Sequence, residues 1–297
     1  MLHFLSIATI ALFCAIPQST HRASPYVGAI SADAKTGRVL FQANADAEAY
    51  PASVTKLMTL LLVLEDVEAG KYTLSTRITA GEEPTRLSEE SWVDLRPGES
   101  MTVDDLLTAL MVKSANDAAI ALGVNSAGSF DKFIERMNTR AAELGMKNTH
   151  YYNPNGLPPV STTSSGKVRR YPWKSFNVST CSDQLKLALE LVKKPQVFQY
   201  TSQKVASVTD GRGQELKFIN HNNLMVKNKQ KVFNPDGTEA VDGLKTGYID
   251  AGGSSIVLTG KRGEVRAIVV VLGSSTAKER DEAAGRLLQD ALDALSW

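Results

Sequence analysis

The apolar pattern gives this chain strand-like ends and a helical middle. Residues 26–43 read as a hairpin with arms at 27–32 and 38–41 and Lys35-Thr36-Gly37 as its turn, the glycine at positive φ. Beyond it the period lengthens. Val54, Leu57, Met58, Leu61, Leu62 and Leu64 recur at helical spacing, opened by Pro51 and stopped by Gly70. Thr102 and Asp105 cap a helix over 103–111, and a second helix covers 117–122 and ends at Gly123. Ser129 opens a third, with Phe130, Phe133, Ile134, Met137 and Leu144 on its apolar face, that ends at Gly145. Residues 92–98 interrupt this run as a loop or short strands. Residues 153–180, dense in Pro, Ser, Thr and Gly, predict a long loop, and a helix follows over 182–193. Strand patterns return at 205–208, 216–219, 254–259 and 265–272, the last two joined as a hairpin through Lys261-Arg262-Gly263. The final helix, 277–296, carries Leu287, Leu288, Ala291, Leu292 and Leu295 on one stripe and Asp281, Glu282, Asp290 and Asp293 on its polar face. Those acids suit packing on a sheet better than contact with an anionic membrane. The pattern predicts an α/β (α+β) protein: an antiparallel sheet from both chain ends flanked by helices, a mainly helical region inserted, and a cleft between the two.

Length and charge narrow this picture. With 297 residues the chain can bury a sizeable core, and Lys+Arg 33 against Asp+Glu 32 leaves net charge +1. No bulk field favours nucleic acid, and the one basic cluster, Lys167-Val168-Arg169-Arg170, lacks a groove of aromatics. Residues 4–16 resemble the apolar core of a secretory signal and are too short for a span of about 20 residues. Residues 1–23 are therefore expected as a signal peptide or leader, and 24–297 as the working domain outside the cytoplasm, periplasmic or secreted. An uncleaved, weakly anchored N-terminus stays open. Cys14 follows Phe13, which argues against lipidation, and Cys181 alone forms no disulfide framework. His150 and His221 are the only histidines past the leader, and no metal-ligand pattern is visible.

Three strings bring chemistry into this frame: Ser53-Val54-Thr55-Lys56, Ser114-Ala115-Asn116 and Lys245-Thr246-Gly247. One helical turn separates Ser53 from Lys56, so an amine and a hydroxyl share a face near a helix N-terminus that favours a developing oxyanion. For that pair taken alone, a cap and a snorkelling lysine are the simpler account. Ser114-Ala115-Asn116 links two helices, where short polar side chains can enter a cleft or merely cap. Each pattern recurs. Ser129 with Lys132 and Ser275 with Lys278 occupy cap positions, Ser164 with Lys167 lies in a polar loop, Ser175 with Asn177 repeats Ser-x-Asn, and residues 35–37 form the hairpin turn. Only Ser53 leads a deeply apolar helix, and only the strand at 245–247 sits between glycines that admit a ligand closely. Together the strings suit a serine acyl-transfer site without histidine. No Gly-x-Ser-x-Gly elbow is present, although sequence leaves a Ser-His-Asp arrangement open.

With those strings in place the chain resembles the low-molecular-mass penicillin-binding proteins, the serine D-alanyl-D-alanine carboxypeptidases, from about Tyr26 onward. The likeness covers residues 51–59, 114–119, 153–157, 220–224 and 241–248. It implies a β-lactamase/transpeptidase-like fold, a peptidoglycan stem peptide ending in D-Ala-D-Ala as substrate, β-lactams as covalent inhibitors, and no cofactor. By this resemblance Ser53 is the nucleophile, Lys56 its base and Ser114 the relay toward the departing amine. Asn116 holds the substrate amide, and Lys245 and Thr246 receive the terminal carboxylate. Gly247 lets the strand close in, and the backbone N–H groups of Ser53 and Tyr248 form the oxyanion hole. His221 stands where some relatives carry a carboxylate-binding arginine; this implies weaker selection for a free carboxylate and a pH effect on affinity between about 5 and 8.

The stretch 164–176 looks longer than is usual in the family. Its Arg169, Arg170, Tyr171 and Trp173 could touch glycan or stem peptide, a solvated insertion being the plainer reading. Many members carry a further β-domain and an amphipathic anchor, whereas a lone catalytic domain without a strong anchor beyond the N-terminal segment is expected here. A DD-endopeptidase acting on cross-links is the close alternative. A β-lactamase is less favoured, because no Asp or Glu occurs between Glu143 and Asp183 to activate a deacylating water. A non-catalytic β-lactam sensor would be expected to lack Lys56, Ser114 or Lys245.

Overall fold

The computed structural model describes residues 24–82, 91–162, 168–170, 175–227 and 231–296. The leader therefore lies outside the described residues, as do Ser164, Lys167, Tyr171 and Trp173.

Strand β1 (Gly28–Asp33) turns back through Gly37, at φ +73°, into β2 (Val39–Ala43). A single 3-10 turn, Ala52–Thr55, leads into α1 (Lys56–Glu68), and the short pair β3 (Arg77–Thr79) and β4 (Ser100–Thr102) brackets the interruption. Next come α2 (Val103–Thr108), a π-helical turn (Ala109–Lys113), α3 (Asn116–Ala127) and α4 (Phe130–Glu143). Strands β5 (Val160–Thr162) and β6 (Val168–Arg170) pair within the long loop. Helices α5 (Cys181–Leu191) and α6 (Gln196–Thr201) precede the hairpin of β7 (Val205–Thr209) and β8 (Glu215–Ile219) and the single turn α7 (Asn223–Val226). The chain closes with β9 (Val241–Ile249), β10 (Gly253–Arg262), β11 (Val265–Ser274) and α8 (Ala277–Leu295).

The ends meet because β1 pairs antiparallel with β11, from Gly28 opposite Leu272 to Asp33 opposite Ala267. The resulting sheet has the order β2-β1-β11-β10-β9. Its alternation serves two cores. Ile256, Leu258, Val269 and Val271 pack with Ala284, Leu288 and Leu292 of α8, while Val257, Ile268, Val270 and Leu272 face the core of α1 and α5. Among the described residues strand β9 stays an edge, with one side of its backbone free of sheet hydrogen bonds, and it packs on the 3-10 turn. Among the described residues no helix is long and apolar enough to cross a membrane.

Local signals are overridden in several places. Gly123 does not end α3, which runs on to Gly128 (φ +84°); an added Cβ at Gly123 would sit 2.5 Å from the Phe133 ring, so this glycine serves helix packing. The predicted helix over 103–111 is α2 followed by the π-helical turn. Thr276, not Ser275, caps α8 by accepting from Glu279 N at 3.1 Å. Asp281 leaves the polar face: it is 1% exposed and bonded by Arg280 and Asn223.

Candidate active site

Ser53 lies in the 3-10 turn and Lys56 is the first residue of α1, so the turn sets their spacing. Lys56 is wholly buried, and its Nζ donates to Ser53 Oγ (2.9 Å), Asn116 Oδ1 (2.8 Å) and the Asn155 carbonyl (2.7 Å). An ammonium has the three N–H groups this triangle demands, whereas a neutral amine keeps one lone pair for a proton. Burial and then the Lys245 charge push the Lys56 pKa well below 10.5, opposed by Asp117. A lysine so lowered is more easily neutral, the state an amine needs to accept a proton from a neighbouring hydroxyl.

Close backbone packing builds the triangle. Gly156, at φ +82°, abuts Ala52 so tightly that an added Cβ would overlap the Ala52 carbonyl. This contact brings the Asn155 carbonyl to the lysine. Asn153 Oδ1 accepts from Gly156 N (2.6 Å), and Asn177 Nδ2 donates to Asn153 O and Thr55 Oγ1, both at 3.0 Å. Asn177, in the second Ser-x-Asn string, is thus part of the framework. Ser114 ends the π-helical turn in the left-handed region (φ +62°) and is buried. Asn116 opens α3.

The opposite wall is β9. An added Cβ at Gly247 would lie 2.6 Å from Pro51 O and 3.1 Å from Ser53 N, so the strand runs directly against the serine turn. Lys245 is buried and donates to its neighbour's carbonyl, Thr246 O, at 3.1 Å. Burial and then Arg280 lower its pKa to about 7. Thr246 is buried; the Tyr248 ring is exposed, with its hydroxyl donating to Asp250 Oδ1 at 2.8 Å. His221 is also exposed, yet partial desolvation, then Lys245, Lys113, Lys56 and Arg280, bring its pKa down to about 4. That downward shift runs against the titration expected between pH 5 and 8.

The structure thus joins Ser53, Lys56 and Asn116 by hydrogen bonds and sets Gly247 against the serine turn. Among the described residues no hydrogen bond links the side chains of Ser114, Thr246, Tyr248 or His221 to the Ser53–Lys56 pair. Three contributors escape sequence reasoning. The Asn155 carbonyl has no side-chain signature, Arg280 reads as an ordinary helix residue, and Asp117 reads as the start of a helix. Asp183, the acid bounding the long loop, is buried by Asn148 N, Thr149 Oγ1 and Lys186 Nζ at 2.8–3.0 Å, so it holds α5 in place.

The model of one protein family, described as D-alanyl-D-alanine carboxypeptidase, matches residues 17–276. The D-alanyl-D-alanine carboxypeptidase DacF of Bacillus subtilis is 33% identical over 263 residues, 89% of this chain and 61% of that protein. This chain spans about three fifths of the length of such curated relatives. A peptidoglycan synthesis regulatory factor (PBP3) of Streptococcus pneumoniae superposes with TM-score 0.75 and 30% identity, covering 92% of this chain and 71% of that one. Penicillin-binding protein D2 of Listeria monocytogenes, in its ampicillin-bound form, superposes with TM-score 0.70 and 29% identity, covering 90% and 97%.

Proposed function

The chain belongs to the D-alanyl-D-alanine carboxypeptidase family, and from that premise we propose that it removes the terminal D-alanine from peptidoglycan stem peptides, outside the cytoplasm, through an acyl-enzyme on Ser53. The observation that carries this reading is the buried Lys56 amine, 2.9 Å from the Ser53 hydroxyl and held well below its ordinary pKa. A lysine in that state accepts the serine proton as Ser53 attacks the carbonyl between the two D-alanines. The carbonyl oxygen becomes an oxyanion facing the N–H groups of Ser53 and Tyr248; one such donor is worth about 3–4 kcal/mol in other enzymes. The proton passes by way of Ser114 to the departing D-alanine, whose carboxylate lies with Lys245 and Thr246. Asn116 holds the acyl-side amide. Water then releases the shortened peptide.

β-Lactams acylate the same serine and leave slowly, because the sequence holds no acid between Glu143 and Asp183 for a deacylating water. In the test, one sample receives a peptide ending in D-Ala-D-Ala and another a cross-linked muropeptide. Free D-alanine from the first supports carboxypeptidase action, whereas cleavage of the second alone supports an endopeptidase. Rapid turnover of penicillin contradicts both.

A further inference from the structure

Next to Asn116 is a buried acid that the proposed mechanism leaves unused. Asp117 is wholly buried, and its carboxylate accepts from Leu95 N (3.0 Å), Val93 N (3.1 Å) and Ala118 N (2.9 Å). Among the described residues no cation lies within ion-pair distance of it. Val93 and Leu95 belong to a segment without regular structure in which Ser91 and Asp94 both have φ +54°. That segment is also fixed by Asn116 N, which donates to Ser91 O at 2.8 Å. Residues 116 and 117 thus have complementary roles. The side chain of the first reaches Lys56, and that of the second pins the chain lying across the head of α3.

We propose that Asp117 is the positioning residue of this site, tying the 91–95 segment to the start of α3 so that Asn116 stays on Lys56, and opposing with its negative charge the effect of Lys245. An unpaired buried carboxylate is a poor choice for stability alone, since neutral side chains also accept from amides. Burial lifts its pKa to about 6 against the pull of its three amide donors. A raised acid binds its proton more tightly folded than unfolded, so keeping it charged at pH 8 costs stability. The charged groups bearing on Lys56 are Lys245 from β9 and Asp117 from α3, while Arg280 acts on the neighbouring Lys245 and His221, and Lys113 on His221.

The inference rests on the acyl-enzyme reading, and the test separates the two. Penicillin acylation of Ser53 is timed by intact mass across pH 5–9 in wild type, Asp117→Asn and Asp117→Glu, with Tm at pH 8 alongside. Removing the charge lowers the Lys56 pKa, so in Asp117→Asn the acid limb moves to lower pH. The plateau rate falls about tenfold, with Tm within a few degrees of wild type. Asp117→Glu keeps the charge and displaces it, giving the wild-type limb with a slower plateau. That second result carries the test if Asp117→Asn does not fold. An Asp117→Asn limb coincident with wild type, or Asp117→Glu acylating at the wild-type rate, overturns the inference and leaves the acyl-enzyme standing. A wild type that forms no adduct overturns both.

Discussion

The two walls of the cleft are built differently. On the helical side Lys56 has three hydrogen-bond partners from three separate segments, and Thr59 and Asn177 brace those segments in turn. On the strand side, among the described residues, Lys245 donates only to the adjacent Thr246 carbonyl, β9 is a sheet edge, and Tyr248 and His221 are open to solvent. On the first wall the three donors of Lys56 are all used without a ligand. The second has unused donors and charge that a ligand would satisfy. Chemistry needs fixed geometry before substrate arrives, whereas capture needs groups left unsatisfied until it does. Changes on the helical wall should therefore reduce the rate of acylation, and changes on the strand wall should reduce affinity.

The largest expected effect is on the helical wall. Lys56→Ala removes the proposed base, and general-base contributions of about 10²–10⁴-fold set the scale. The predicted outcome is folded protein whose penicilloyl adduct accumulates at least about 10³-fold more slowly by intact mass. Acylation at the wild-type rate would show that the triangle around Lys56 is structural only.

Next comes the strand's approach, tested against the other Lys-Thr-Gly copy. Gly247→Ala places a methyl 2.6 Å from Pro51 O, so β9 must move off the serine turn. A displacement near 1 Å at a reacting centre costs about 10²-fold. Gly37→Ala meets only Leu189 Cδ1 at 3.5 Å, and its cost is conformational, about 1 kcal/mol of stability. Acylation should fall in the first variant and stay unchanged in the second, in which Tm alone drops.

The same contrast shows how much of the molecule was legible in the sequence. Elements set by local chemistry could be read: the hairpin through Gly37, the apolar α1, α4 opening at Ser129, and the strands at both ends that make the sheet. Context also separated the two Lys-Thr-Gly strings, since one lies in a turn and the other in a buried strand. What could not be read depends on distant partners. Gly123 looks like a helix stop until Phe133 is packed on it, and Asp281 looks solvated until Arg280 and Asn223 enclose it. The Asn155 carbonyl reaches Lys56 across 99 residues and leaves no trace in residue type.

On the strand wall, charge should show as affinity. Lys245 has a pKa of about 7, lowered by burial and then Arg280, so its ammonium persists below that pH and is lost above it. A charge-assisted hydrogen bond is worth about 1.5–3 kcal/mol. KM for a peptide ending in D-Ala-D-Ala should therefore rise about tenfold between pH 7 and 9, with kcat steady because Lys56 needs to be neutral. A KM flat across that range would mean that Lys245 is not the carboxylate's partner.

The smallest effect belongs to His221. A histidine at a carboxylate site suggests binding that weakens as pH rises from 5 to 8, but desolvation and the neighbouring charges work against it. Partial desolvation, then Lys245 and the cations behind it, hold the ring neutral down to about pH 4. Protonation would help the carboxylate only below that, where a peptide α-carboxyl, with its ordinary pKa of about 3.3–3.7, is itself losing charge. Both charges are only partial in that narrow range, so on the proposed mechanism the carboxylate is left to Lys245. In His221→Ala the KM profile over pH 5–8 should overlay that of wild type within about twofold, with any residual difference independent of pH. A limb near pH 6.5 in wild type that vanishes in the variant would place a charged histidine on the strand wall.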